Sequence, residues 1–128
     1  MRVLVTGSEG FVGRWLVRTL LAAGHEVWAG IRPGGLLEVP GLTPAERAAV
    51  RRVPIEVLDT ASVESAVASR PEAVVHLAAI ASGADARRDV GVAWAVNAAG
   101  TARLADALGR SRERGASDPV LLVVSSGE

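Results

Sequence analysis

Short apolar runs alternate along the chain with longer segments in which apolar residues recur every three to four positions, a pattern that predicts βαβ units around a parallel sheet. Val3-Leu4-Val5 predicts a first buried strand. Behind it, Phe11/Val12, Trp15/Leu16, Thr19/Leu20 and Ala23 recur at helical spacing, with Gly24 placed to end the helix. Glu26 to Ile31 predicts a second strand, after which Arg32-Pro33-Gly34-Gly35 and Pro40-Gly41 break regular structure. Thr43-Pro44-Ala45-Glu46 has the form of a capping box with proline at the first helical position, and predicts a short helix ending at Arg51 or Arg52.

Ile55-Glu56-Val57-Leu58 predicts a third strand, Ser62 a cap for a helix through about Ser69, and Ala73 to Leu77 a fourth strand. An alanine-rich helix follows between Arg87 and Arg114, in one piece or two. Gly115-Ala116-Ser117-Asp118-Pro119 then leads into a fifth apolar strand, Val120 to Val124.

Composition narrows the function classes. The 128 residues suit one domain with a real core. Lys+Arg and Asp+Glu both number 14, which leaves no electrostatic footprint for nucleic acid or an anionic membrane. Without cysteine, and with His25 and His76 far apart in sequence, no metal site is expected. The opening Met1-Arg2-Val3-Leu4-Val5 is too short an apolar run for a signal peptide, and no stretch approaches the roughly 18 apolar residues of a membrane span, so the expected location is cytoplasmic. Every one of the 14 basic residues is arginine, and the chain has no tyrosine.

Thr6-Gly7-Ser8-Glu9-Gly10-Phe11-Val12-Gly13 lies between the first strand and the first helix, where a dinucleotide's pyrophosphate meets a helix N-terminus. Gly7 permits the tight turn, Gly10 lets backbone approach phosphate, and Gly13 lets helix pack close on strand. An acidic residue at the end of the second strand would bind ribose hydroxyls, whereas an arginine suits a 2′-phosphate. Here the strand ends in Ile31 followed by Arg32, which favours NADP, with NAD as the alternative. Arg14 is either a second phosphate contact or plain surface.

The chain resembles the extended short-chain dehydrogenases/reductases, the NAD-dependent epimerase/dehydratase family. The turn has that family's TGxxGxxG form, His76-Leu77-Ala78-Ala79 its HLAA, and Asn97-Ala98-Ala99-Gly100-Thr101 its NxxGT, and Asp59 follows the third strand in its expected place. The resemblance implies a doubly wound α/β Rossmann-type sheet in the order 3-2-1-4-5. It implies Asp59, with its neighbour Thr60, at the adenine, the backbone from Leu77 through Ala78 and Ala79 to Ile80 at the cofactor's border, and Asn97 bracing the end of the fourth strand. Structural alternatives stand beside these: Asp59 as the start of a turn, His76 as a satisfied strand-end residue, Asn97 as a local helix interruption.

The resemblance also reaches the last residues, Ser125-Ser126-Gly127-Glu128, which look like the start of an SSGEVYG segment. It implies Ser126 as the catalytic serine bonding the sugar's C4 oxygen, and Glu128 as a proton carrier if the reaction is dehydration. Ser82 is a further substrate candidate, or a loop serine with no role. The family's YxxxK acid/base pair has no counterpart among these residues, so the chain alone is expected to be inactive. The expected parent is a nucleotide-sugar oxidoreductase, isomerase or lyase, first a 4-keto-6-deoxy-sugar reductase of the GDP-mannose branch, with epimerase and dehydratase close behind. Pairing into a homodimer through the helix at 87–114 is implied as well. The alternative is a non-catalytic NADP-binding sensor or an inactive gene fragment.

Overall fold

A computed structural model describes residues 1–125; Ser126 and Glu128 lie outside the described residues. Five parallel strands form one sheet in the order β3-β2-β1-β4-β5, with β1 at Arg2–Thr6, β2 at Glu26–Ile31, β3 at Arg51–Pro54, β4 at Ala73–His76 and β5 at Val120–Val123. The helices are α1 at Phe11–Ala22, α2 at Pro44–Ala49, α3 at Thr60–Val67, α4 at Gly83–Arg88, α5 at Val90–Trp94 and α6 at Thr101–Glu113, with a π-helical segment at Ala95–Gly100 joining α5 to α6.

β1 sits at the centre because it is apolar on both faces. Val3, Leu4 and Val5 are all buried, as a central parallel strand requires. Two clusters pack on the two faces. Leu4, Ile55, Val63, Ala66, Val74, Leu104 and Leu108 fill the space under α3 and α6, while Val17, Val27, Ala29 and Val39 fill the space under α1. Among the described residues no helix is long and apolar enough to cross a membrane, and no group of acidic and histidine side chains could hold a metal ion.

Several elements differ from the pattern-based expectation, each for a physical reason. The third strand is Arg51–Pro54, four residues before the apolar run at Ile55–Leu58. It pairs with β2 alone, so an edge strand with two arginines and a terminal proline suffices. Ile55 and Val57 are buried in the segment beyond it, Ile55 within the core cluster under α3 and α6 and Val57 against Gly100. The second helix therefore stops at Ala49, short of Arg51. Asp59, rather than Ser62, caps α3, its carboxylate accepting from the Ala61 amide at 3.0 Å. Ser62 instead accepts the Glu56 amide at 2.8 Å.

On α1 the buried stripe is Gly13 and Val17, flanked by half-buried Leu16, Leu20 and Leu21, and not the Phe11/Val12/Trp15 stripe. Apolar residues surround this helix on nearly every side, so periodicity alone could not choose the face. Arg14 covers the Phe11 ring and Arg18 the Trp15 ring on the outside. Leu104 is fully buried at the centre of the cluster between α3 and α6. Leu104→Ala should lower unfolding free energy by about 3 kcal/mol in a urea titration, because the tightly packed site can collapse only partly.

Candidate functional site

The β1–α1 turn is drawn against the end of β4. Gly7 has φ +69°, and a Cβ there would lie 2.8 Å from the Ala78 amide nitrogen. Gly13 is more crowded still, since a Cβ would stand 2.2 Å from the Gly7 carbonyl oxygen and 2.7 Å from Ser8 Cα. No side chain can be inserted at either place without parting backbone from backbone. Buried Ser8 anchors the turn from beneath, its hydroxyl donating to the Val5 carbonyl at 2.7 Å and its amide to the Gly30 carbonyl at 3.0 Å.

Behind this turn α1 begins at Gly10 without a side-chain cap and without an acidic residue in its first turn. Its leading amides therefore keep their donors free of any side-chain cap, the arrangement that receives an anion at a helix N-terminus. Gly10, Phe11 and Val12 are exposed at this end. Arg14, half-buried in the first turn, has a buried Nε with no hydrogen-bond partner.

Next to the turn opens a cleft of about 550 Å³. Gly7, Glu9, Gly10 and Arg32 line one side and Leu77 to Ile80 another, with Asp85, Val92 and Val96 beyond them. Ile55 to Leu58 form the remaining wall. The apolar pattern of this last group predicts a strand and gives no sign of a site, whereas the structure sets it beyond the edge strand as a cleft wall. Asp59, Thr60, Ser82 and Asn97 do not line the cleft. Asp59 caps α3, Thr60 accepts from the Arg103 guanidinium at 3.1 Å, and Ser82 caps α4 by accepting from the Asp85 amide.

Asn97 acts one step back. Its side chain accepts from the Ile80 amide at 2.8 Å and donates to the Ile80 carbonyl at 3.1 Å, so the backbone bordering the cleft is clamped to the π-helical segment. A directed chain of hydrogen bonds runs behind that clamp. The Thr6 hydroxyl oxygen accepts from the Leu77 and Ala78 amides at 3.2 and 3.1 Å, so its own proton goes to His76 Nδ1, 2.7 Å away. His76 is then the neutral Nε2–H tautomer, donating to the Thr101 hydroxyl at 3.1 Å, which in turn donates to the Asn97 carbonyl at 2.7 Å. Burial holds the His76 imidazole below its ordinary pKa of 6.5.

Taken together, the parallel sheet in the order β3-β2-β1-β4-β5 and this turn define a Rossmann-type fold. Residues 3–128 match the NAD dependent epimerase/dehydratase family, and the chain belongs to that family. It is similar to a UDP-glucose 4-epimerase of Mycolicibacterium smegmatis, 36% identical over 108 residues that cover 84% of this chain and 34% of that protein. Among solved structures it resembles UDP-glucose 4-epimerase of Thermus thermophilus in complex with NAD, at 32% identity and TM-score 0.69, covering 91% of this chain and 35% of the other. It also resembles the Thermotoga maritima UDP-glucose 4-epimerase with UDP-glucose, at 29% identity and TM-score 0.76, covering 99% and 38%. The chain thus spans about a third of the length of these relatives.

Two predictions follow from the geometry. Gly13→Ala should cost about 3 kcal/mol of stability in a urea titration by forcing α1 off the turn. Gly24→Ala is the matched control: φ there is +78° but no atom lies within 4 Å, so only the backbone strain should be felt and the loss should be smaller. For His76, a depressed folded pKa means that below 6.5 the unfolded chain takes up a proton that the folded chain resists. Stability should therefore be level above 6.5 and fall as pH drops beneath it. Urea midpoints compared at about pH 7.5 and about pH 5.5 should show this loss in the native protein and a smaller one in His76→Asn.

Proposed function

We propose that these residues form the cofactor-holding part of an enzyme that interconverts nucleotide sugars through bound NAD or NADP. One observation carries the reading: the uncapped, acid-free N-terminus of α1 stands directly behind a turn whose glycines leave no side chain between backbone and ligand. The pyrophosphate would lie on the amides from Gly10 to Gly13, the adenosine against Ile55 to Leu58, and the nicotinamide toward Ala78 to Ile80. Asn97 holds Ile80 in place for that ring. A nicotinamide held there would supply reversible hydride transfer at a sugar carbon.

Among reaction types, 4-epimerisation is favoured over the expected 4-keto-6-deoxy-sugar reduction, because the UDP-glucose 4-epimerase similarity extends over 84% of the chain. Ser126 and Glu128 are the residues that the family resemblance assigns to the chemistry at the sugar. The 128 residues contain neither tyrosine nor lysine, so we ascribe to them cofactor binding rather than turnover. Exposed Val90, Val92 and Trp94 support pairing of two copies through the helical stretch at 87–114.

Calorimetric titration of the purified protein with NAD and with NADP tests the reading. Binding of at least one of them with a Kd of roughly 100 μM or tighter is expected, and Gly7→Ala should weaken it at least tenfold. Absence of heat with both dinucleotides, in a protein shown to be folded by circular dichroism, would overturn the proposal.

A further inference from the structure

The end of β2 carries no acidic residue in sequence, yet a carboxylate stands there in space. Glu9, from the β1–α1 turn, places Oε1 on the Arg32 amide at 3.1 Å and on the Arg32 Nε at 3.2 Å. The Glu9 side chain is only 15% exposed, whereas that of Arg32 is 77% exposed. The other Glu9 oxygen, Oε2, is buried and has no hydrogen-bond partner among the described residues. Both residues line the cleft.

This arrangement changes what Arg32 can do. Its charge is already matched by a near neighbour, and its guanidinium is turned toward Glu9 by a bond to Nε. A 2′-phosphate on the adenosine ribose would bring about two further negative charges to a mostly desolvated carboxylate. An unphosphorylated ribose brings the opposite: a hydroxyl donor for an acceptor oxygen that lacks one. A buried acceptor without a donor is costly, so a ligand that supplies the donor gains what the free protein lacks.

We propose that Glu9, and not Arg32, sets the cofactor preference of this chain, its carboxylate receiving an adenosine-ribose hydroxyl and rejecting a 2′-phosphate, so that NAD is bound in preference to NADP. The inference rests on the dinucleotide reading of the cleft. It replaces the expectation of NADP, which required an arginine free to meet a phosphate.

Binding of NADH and NADPH is measured by nicotinamide fluorescence, on the native protein and on Glu9→Gln, Arg32→Ala and the double variant. The native protein should bind NADH at least tenfold tighter. Glu9→Gln removes the negative charge and releases the Arg32 guanidinium, so it should weaken NADH severalfold and strengthen NADPH about tenfold. That gain should vanish in the double variant. Arg32→Ala, which leaves the carboxylate in place and carries the test if Glu9→Gln folds poorly, should keep the NADH preference. Equal affinities in the native protein, a preference for NADPH, or loss of the NADH preference in Arg32→Ala would each refute Glu9 as the selector. Failure of the native protein to bind either cofactor refutes the dinucleotide reading itself, a separate outcome.

Discussion

The architecture depends on one steric constraint, the approach of the β1–α1 turn to the backbone leaving β4. Gly7 lies so near Ala78, and Gly13 so near the Gly7 carbonyl, that each contact is backbone on backbone. Because β1 and β4 are hydrogen-bonded neighbours in register from Val3↔Ala73 to Thr6↔His76, the two exits are brought level. Adjacent parallel strands therefore deliver the glycine turn and the Leu77–Ile80 segment to the same end of the sheet, and the cleft is the gap that remains between them. Shape here is fixed by what is absent from two side-chain positions.

Hydrogen bonds convert that approach into a fixed arrangement. Thr6, His76, Thr101 and Asn97 come from β1, β4, α6 and the π-helical segment, and each proton in their chain has one available direction. The π-helical segment gives this chain its reach. Gly100 in it packs where a Cβ would come within 2.9 Å of Val57, and Asn97, one turn earlier, clamps Ile80 with both ends of its amide. Wide helical turns of this kind occur often at functional sites, and here the segment lets one helix meet the strand end and the loop beyond it. The neutrality of His76 follows from the same logic. Protonation would place a second donor against a hydroxyl whose lone pairs already serve two amides.

What the sequence revealed and what it hid divide along the range of the interactions. Strands buried on both faces, such as Val3–Val5 and Ala73–His76, announce themselves as continuous apolar runs, and the Thr6–Gly13 turn is legible because strand, glycine spacing and helix adjoin within a few residues. β3 hid because an edge strand needs pairing on one side only, so Arg51 and Arg52 carried no apolar signal while Ile55 and Val57 carried a misleading one. The face of α1 hid because Phe11, Val12 and Trp15 are apolar but exposed. The Glu9–Arg32 pair spans 23 residues and is set by the twist of the turn over β2, which no local pattern encodes.

Burial falls steeply across the sheet, and the site follows the gradient. The central strands β1, β2 and β4 carry residues with almost no exposure, such as Leu4, Val5, Val27 and Val74, whereas on β5 Val120, Leu122 and Val123 are exposed and only Leu121 packs against the core. Each apolar side chain moved from water into such a core contributes about 1.5–3 kcal/mol, so rigidity is concentrated where the glycine turn is anchored. The backbone amides of that turn cannot adjust one at a time, so their directions are fixed by the strands that carry them. The glycine-turn wall of the cleft is thus held by the most buried strands, while Val120, Leu122 and Val123 of β5 stand exposed at the other edge of the sheet.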